Sequence, residues 1–250
     1  MNNQFDLTGK RILITGASSG IGRACAICVA QLGASVVLTG RRESALNDTR
    51  VKMIDADRHS VIAGDIGEPS FVQTLLDRVA KIDGLVHAAG ICPAIPIGVV
   101  DSTYIVESMR VNYFAFMELM RLCSRRKYVN GGFSAVAISS VSSEVGWSGG
   151  SLYSGSKGAL SAAVRALALE LAPKGMRVNA VCPSNIRTPM FDSLAGDMND
   201  EAGLVALKAK QPLGLGSPEQ VAWPVCFLLS DAASFITGVN LPVDGGYLAQ

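Results

Sequence analysis

No apolar stretch of this 250-residue chain runs long enough to span a bilayer, and the polar segment Met1 to Lys10 lacks the apolar core of an export signal. Both absences lead us to expect a soluble, cytoplasmic protein with no membrane partner. There is no long Lys/Arg block, and 22 basic against 21 acidic residues leave a formal net charge of +1. A chain so balanced offers no electrostatic footprint for nucleic acid, which makes a small molecule the better partner. The cysteines are scattered through apolar segments and form no disulfide framework. Cys25 and Cys28 make a CxxC, but no second Cys or His pair lies nearby, so packing is expected there rather than metal or redox work, and no metal site is assigned. No repeat, low-complexity tract or Pro/Ser-rich linker divides the chain, so residues 1–250 read as a single domain.

The chain has ample apolar material, 49% hydrophobic residues against 17% charged. Short β-branched runs stand at Arg11 to Thr15, Ser35 to Thr39, Ser60 to Ala63, Leu85 to Ala88, Ala135 to Ser139, Arg177 to Cys182 and Val239 to Val243. Helical periodicity fills the intervals, clearest in Thr103 to Arg126 and Tyr153 to Ala172. Apolar strands alternating with helices predict an α/β Rossmann fold, a doubly wound seven-stranded parallel sheet with helices on both faces. The segment 189–216 is less regular, rich in Gly, Asp and Met, and is the candidate substrate lid.

The first strand runs into Thr15-Gly16-Ala17-Ser18-Ser19-Gly20-Ile21-Gly22 and then a helix. A phosphate-binding loop needs that context: Gly16 for the tight turn, Gly20 for close approach to a pyrophosphate, Gly22 for helix packing, and free N–H groups at the helix start. An acidic residue ending the second strand would suit an unphosphorylated ribose, but Arg41 and Arg42 stand there instead. A guanidinium suits a 2′-phosphate, so NADP(H) is the expected cofactor and NAD(H) the lesser fit. Asp65, after the third strand, is placed either to meet the adenine amino group or to cap a helix. Tyr153 and Lys157 lie four residues apart, on one helical face. An unperturbed phenol is a poor acid/base near neutrality, and an adjacent ammonium would lower its pKa.

Ser139-Ser140 precedes that pair by thirteen residues, Asn112 lies in a long helical pattern before it, and the glycine loop opens the chain. Together these features resemble the short-chain dehydrogenase/reductase family, from Leu7 to Tyr247. The resemblance implies that Tyr153 exchanges a proton with the substrate oxygen and that Lys157 lowers the tyrosine pKa and holds the nicotinamide ribose. It further implies that Ser140 hydrogen-bonds the carbonyl and that Asn112 holds a proton-relay water. Ser18, Ser19 and Ile21 of the loop, Ile66, Ala89 and Gly90 join the expected cofactor contacts, as do Pro183 and, toward the carboxamide, Ile186 and Thr188. The resemblance also implies a homotetramer, paired through the Thr103 to Arg126 and Tyr153 to Ala172 helices.

The chain departs from the family pattern in three places. The segment usually written NNAG reads His87-Ala88-Ala89-Gly90, and His87 is expected to be a hydrogen-bonded core residue rather than a second acid/base. Ser184 stands where a glycine is usual and is expected to add bulk and tilt its loop. Pro212 to Gly216 lacks a customary arginine. The expected activity is hydride transfer between nicotinamide and a carbonyl or secondary alcohol, with a 3-oxoacyl thioester as the first substrate. Arg125, Arg126, Lys127 and Lys174 would then meet an acyl carrier protein, or else form an ordinary solvated face. A sugar, polyol or other small alcohol is the alternative, and a non-catalytic cofactor-binding regulator the reading from another class, which Asn112, Ser140, Tyr153 and Lys157 argue against.

Overall fold

Successive residues of a strand point to opposite faces, and here both sets are apolar. In the computed structural model, which describes residues 3–195 and 201–250, seven strands form one sheet. They are β1 (Arg11–Thr15), β2 (Ser35–Gly40), β3 (Ser60–Ala63), β4 (Ile82–His87), β5 (Val129–Ile138), β6 (Arg177–Pro183) and β7 (Asn240–Val243). The helices are α1 (Gly20–Gln31), α2 (Glu43–Arg50), α3 (Pro69–Arg78), α4 (Ser102–Met109), α5 (Ala115–Cys123), α6 (Ser151–Leu171), α7 (Pro189–Ala195), α8 (Glu201–Lys210) and α9 (Pro218–Leu229). Ile12, Ile14, Val36, Val86 and Val136 pack with α1 and α9, while Leu13, Val37, Leu85 and Ala135 pack with α3, α5 and α6. This alternation gives the sheet two buried faces and the chain its doubly wound form.

The strand order is β3-β2-β1-β4-β5-β6-β7, and every pairing is parallel. The order reverses between β1 and β4, which opens a crevice at the carboxyl ends of those strands. All seven expected strands are present, β1 and β3 with the expected bounds and the other five with a shifted end or ends. β4 begins at Ile82 and stops at His87, and β5 begins at Val129 and stops at Ile138. Asn130, Gly131 and Gly132 interrupt the apolar pattern of β5, so only pairing with β4, across a register shift between Ile82 and Gly84, reveals the longer strand. Cys25 and Cys28 pack into the core on α1 beside Cys226, and burial pushes the Cys28 thiol up to about 11.

The helical pattern expected over Thr103 to Arg126 is broken in the middle. α4 ends at Met109, a π turn occupies Arg110–Phe114, and α5 follows. Such single-turn bulges re-aim a side chain, and this one carries Asn112. The cluster Arg125, Arg126 and Lys127 precedes β5 and Lys174 precedes β6, at the sheet edge opposite the crevice. These basic residues therefore lie at the strand ends remote from the crevice. Lys127 instead pairs with Asp77 at 2.7 Å, and Lys174 donates to the Ser124 carbonyl at 3.3 Å.

Candidate active site

One continuous cavity of about 1030 Å³ follows the carboxyl ends of the strands. It begins at the glycine loop, passes Arg41, Asp65 and Ala89, and ends at Ser140, Tyr153 and Lys157 beneath α7 and α8. The loop needs its glycines for reasons visible in the geometry. Gly16 has φ +66°, and a Cβ there would stand 2.7 Å from the Ala88 backbone; a Cβ on Gly22 would stand 2.3 Å from the Gly16 carbonyl. The turn, the β4 terminus and the first turn of α1 are thus in contact through backbone alone. No side chain caps α1, so its first amides are free to meet an anion.

At the adenosine end, Arg41 and Arg42 are exposed, and among the described residues neither guanidinium is hydrogen-bonded or ion-paired. Asp65 lines the cavity, and both of its carboxylate oxygens are engaged within the chain. One carboxylate oxygen accepts the Gly67 N–H at 2.9 Å and the other accepts from Arg110 at 2.9 Å. Burial works to raise its pKa, but those hydrogen bonds and the Arg110 charge hold it below the usual range. Arg110 was not recognised from sequence as a site residue. Ile66 lines the cavity next to Asp65.

At the other end the polar side chains are buried. Asn112 is fully enclosed: its Oδ1 accepts from the Ile91 N–H at 2.8 Å, and its Nδ2 donates to the Ile91 carbonyl at 2.9 Å and to Ser156 Oγ at 2.8 Å. Both amide protons are committed, so Asn112 clamps the loop after β4, and only Oδ1 keeps a free lone pair for a water. Ser140 Oγ accepts from the Ser142 N–H at 3.1 Å, donates to the Pro183 carbonyl at 3.4 Å, and lies near enough to the Tyr153 phenol to favour its ionised form. Lys157 Nζ donates to the Ile138 carbonyl at 2.7 Å and lies 5.7 Å from the centre of the Tyr153 ring. Gly90 faces this ammonium, since a Cβ on it would lie 3.5 Å from Nζ.

The protonation of the pair differs from the sequence expectation. Burial pushes the Tyr153 phenol well above its ordinary pKa, with nearby Cys92 adding to the rise and Ser140 opposing it. Burial also lowers Lys157 to about 8. Desolvation is the largest cause of both shifts, and the phenol is neutral at pH 7. His87 is wholly buried. Its Nδ1 is 3.1 Å from Thr15 Oγ1, which also accepts the Ala89 N–H at 3.1 Å, and its Nε2 has no partner within hydrogen-bond geometry. Burial, then the Lys157 charge, pushes its pKa down to about 3, as suits a neutral core residue.

The loop after β6 completes the cavity. Pro183 and Ile186 line it; Thr188 Oγ1 donates to the Ile186 carbonyl at 3.3 Å and accepts the Phe191 N–H at 3.2 Å, starting α7. Ser184 does more than add bulk. Its Oγ lies 2.9 Å from both Gln211 Oε1 and the Asp244 carbonyl. Buried Gln211 donates in turn to the Asn185 and Gly214 carbonyls, so this loop is tied to the end of the lid segment. Residues 196–200 of that segment lie outside the described residues. The substrate end is walled by Ile91, Val145, Trp147, Met190, Phe191 and Leu207, none of which the sequence singled out.

A backbone-only turn, an uncapped helix start and unpaired guanidinium groups fit an elongated dinucleotide with its phosphates at α1. The Ser140–Tyr153–Lys157 group would then face its nicotinamide end. A family model described as enoyl-(acyl carrier protein) reductase matches residues 16–248. An L-rhamnose 1-dehydrogenase (NAD(P)(+)) from a Sphingomonas species is 35% identical, covering 96% of each chain. A 3-oxoacyl-[acyl-carrier-protein] reductase from Rickettsia prowazekii is 34% identical over 98% of this chain and 99% of its own. Among solved structures, a putative NAD(P)-dependent gluconate 5-dehydrogenase from Beutenbergia cavernae with bound NADP superposes with a TM-score of 0.92, at 32% identity over 99% of this chain and 100% of that one. With a family-model match over most of its length and full-length relatives above 30% identity, this chain belongs to the short-chain dehydrogenase/reductase family of nicotinamide-dependent oxidoreductases.

Proposed function

We propose that the protein is an NADP(H)-dependent reductase of a carbonyl whose non-reacting part is apolar, a 3-oxoacyl thioester being the first such substrate to test. One observation carries the reading: a single cavity joins the unpaired Arg41 to the Ser140–Tyr153–Lys157 group and ends in apolar walls. Arg41 and Arg42 would hold the 2′-phosphate, and the loop Gly16, Ser18, Ser19, Gly20, Ile21 and Gly22 the pyrophosphate. Ile66, Ala89 and Gly90 would lie along the adenosine, with Pro183, Ile186 and Thr188 along the nicotinamide. Bound there, the cofactor supplies the hydride that the carbonyl carbon accepts.

The chain's own residues handle the oxygen. Ser140 Oγ orients the carbonyl, and Tyr153, neutral at pH 7, gives its phenolic proton to the oxygen as negative charge develops there. Lys157, an ammonium below about pH 8, stabilises the phenolate left behind and would bond the nicotinamide ribose. Asn112 keeps the loop after β4 against α6, which holds Tyr153 in place. The segment 189–216 would act as the lid, Met190, Phe191 and Leu207 excluding water from the reacting atoms.

Ser142, Asn185 and Lys210 also line the cavity, but Ile91, Val145, Trp147, Met190, Phe191 and Leu207 form the larger part of its substrate end, which favours an apolar body. The sugar reading rests on the relatives, which include the L-rhamnose dehydrogenase and an L-xylulose reductase from Bos taurus at 32% identity. Exposed Phe114 and Leu169, on the outer faces of the helices expected to pair, support self-association as a homotetramer. The test is single-turnover NADPH oxidation with a 3-oxoacyl thioester, an alicyclic ketone and a ketose. Turnover with either of the first two but not the ketose is expected; turnover confined to the ketose overturns the apolar assignment.

A further inference from the structure

Three carboxylates crowd the adenosine end, where two unpaired arginines alone would favour a phosphate. Asp65, Glu68 and Glu107 all surround Arg110, at 2.9, 3.2 and 2.6 Å. Glu107 takes two hydrogen bonds from the guanidinium, the second at 2.8 Å. The arrangement is tightly built, since a Cβ on Gly67 would stand 2.0 Å from the Arg110 guanidinium. Asp65 shares the cavity with Arg41, and the Arg41 charge acts on both Asp65 and Glu107. The acids that would repel a 2′-phosphate are therefore within electrostatic reach of the residue that would bind it.

We infer that Arg110 is a specificity-determining residue: by engaging Asp65 and Glu107 it offsets part of their field at Arg41 and lets this end of the cavity accept a 2′-phosphate. The inference rests on the NADP(H) reading above. Arg110 need not touch the cofactor. Each of the three acids accepts from the guanidinium, and Asp65 and Glu107 are partly shielded from water. Without its charge, the acids would stand uncompensated beside Arg41 and oppose a dianion. Removing one acid instead would leave one negative charge fewer beside Arg41. Two substitutions in one cluster should thus act with opposite sign.

The experiment is calorimetric titration of the full-length protein with 2′,5′-ADP and with 5′-AMP, ligands that differ only in the 2′-phosphate and reach only the adenosine end. Wild type should bind 2′,5′-ADP more tightly. Arg110→Gln should shrink that ratio on the order of fivefold, and Glu107→Gln should enlarge it by a similar factor, as expected for one partly screened unit charge several ångströms away. Loosening of the π turn would weaken both ligands equally and leave the ratio alone. A wild type that does not discriminate overturns the NADP(H) reading and this inference with it. A discriminating wild type whose ratio is unchanged in the variants overturns the inference alone. Should Arg110→Gln fail to fold, the direction of the Glu107→Gln ratio decides: wider supports it, and unchanged or narrower sinks it.

Discussion

The two ends of the cavity are built from opposite electrostatic materials. At the adenosine end charged groups are abundant and half open to water: Arg110 retains 23% side-chain exposure, Asp65 33% and Glu107 40%. At the catalytic end they are few and enclosed, with Lys157 only 4% exposed and Asn112 and His87 not at all. In the first region water screens each charge, and selectivity is a graded sum over several partners. In the second, desolvation sets protonation, and each polar group has one or two partners that it cannot replace. Recognition tolerates adjustment where the chain is wet, and chemistry does not where it is dry.

The sharpest way to break this comparison is Tyr153→Phe. It removes one enclosed hydroxyl and should cut turnover by about 10³ to 10⁴, near the upper end for a general acid, with cofactor affinity little changed. Single-turnover NADPH oxidation beside a cofactor titration measures both, and retained turnover would show that another group gives the proton. Arg41→Asp should be smaller, weakening NADPH by about 10- to 100-fold, the worth of one charge-assisted hydrogen bond or two, while NADH is spared. Equal loss for both cofactors would mean that Arg41 does not read the 2′-phosphate.

The pH dependence sharpens the dry side. Lys157 is an ammonium below about pH 8, so kcat/KM for carbonyl reduction should hold up to that value and then fall, with a limiting slope of one decade per pH unit. A profile flat through pH 9 would show that the charge of Lys157 is not needed. His87 gives the smallest effect, on stability. Its pKa is pushed from 6.5 in the open chain to about 3 in the fold, so below pH 6.5 the unfolded chain takes up a proton that the folded one refuses. Stability is therefore full above about pH 6.5 and is lost as the pH falls toward 3, by up to ~1.4 kcal/mol per unit. His87→Asn, which restores the residue usual in the family, should flatten that slope in urea unfolding at pH 7, 5.5 and 4.5; an unchanged slope would assign the acid sensitivity elsewhere.

Local patterns made much of this molecule legible. Apolar strands spaced by helical periodicity determine the parallel sheet, because a strand buried on both faces must be apolar at every position. The glycines of Gly16 to Gly22 and the four-residue interval from Tyr153 to Lys157 are set by backbone geometry, so they were readable one segment at a time. Tertiary structure decided what depends on distant partners. Arg110 looked like any helical arginine until the fold brought Asp65 from beyond β3 against it. Asn112 became a clamp rather than a free amide because a π turn delivered it to Ile91. Ser184 became a tie because Gln211 and Asp244 converge on it. The protonation of Tyr153 was likewise unreadable: the loss of water that raises its pKa exists only once the chain has folded around the phenol.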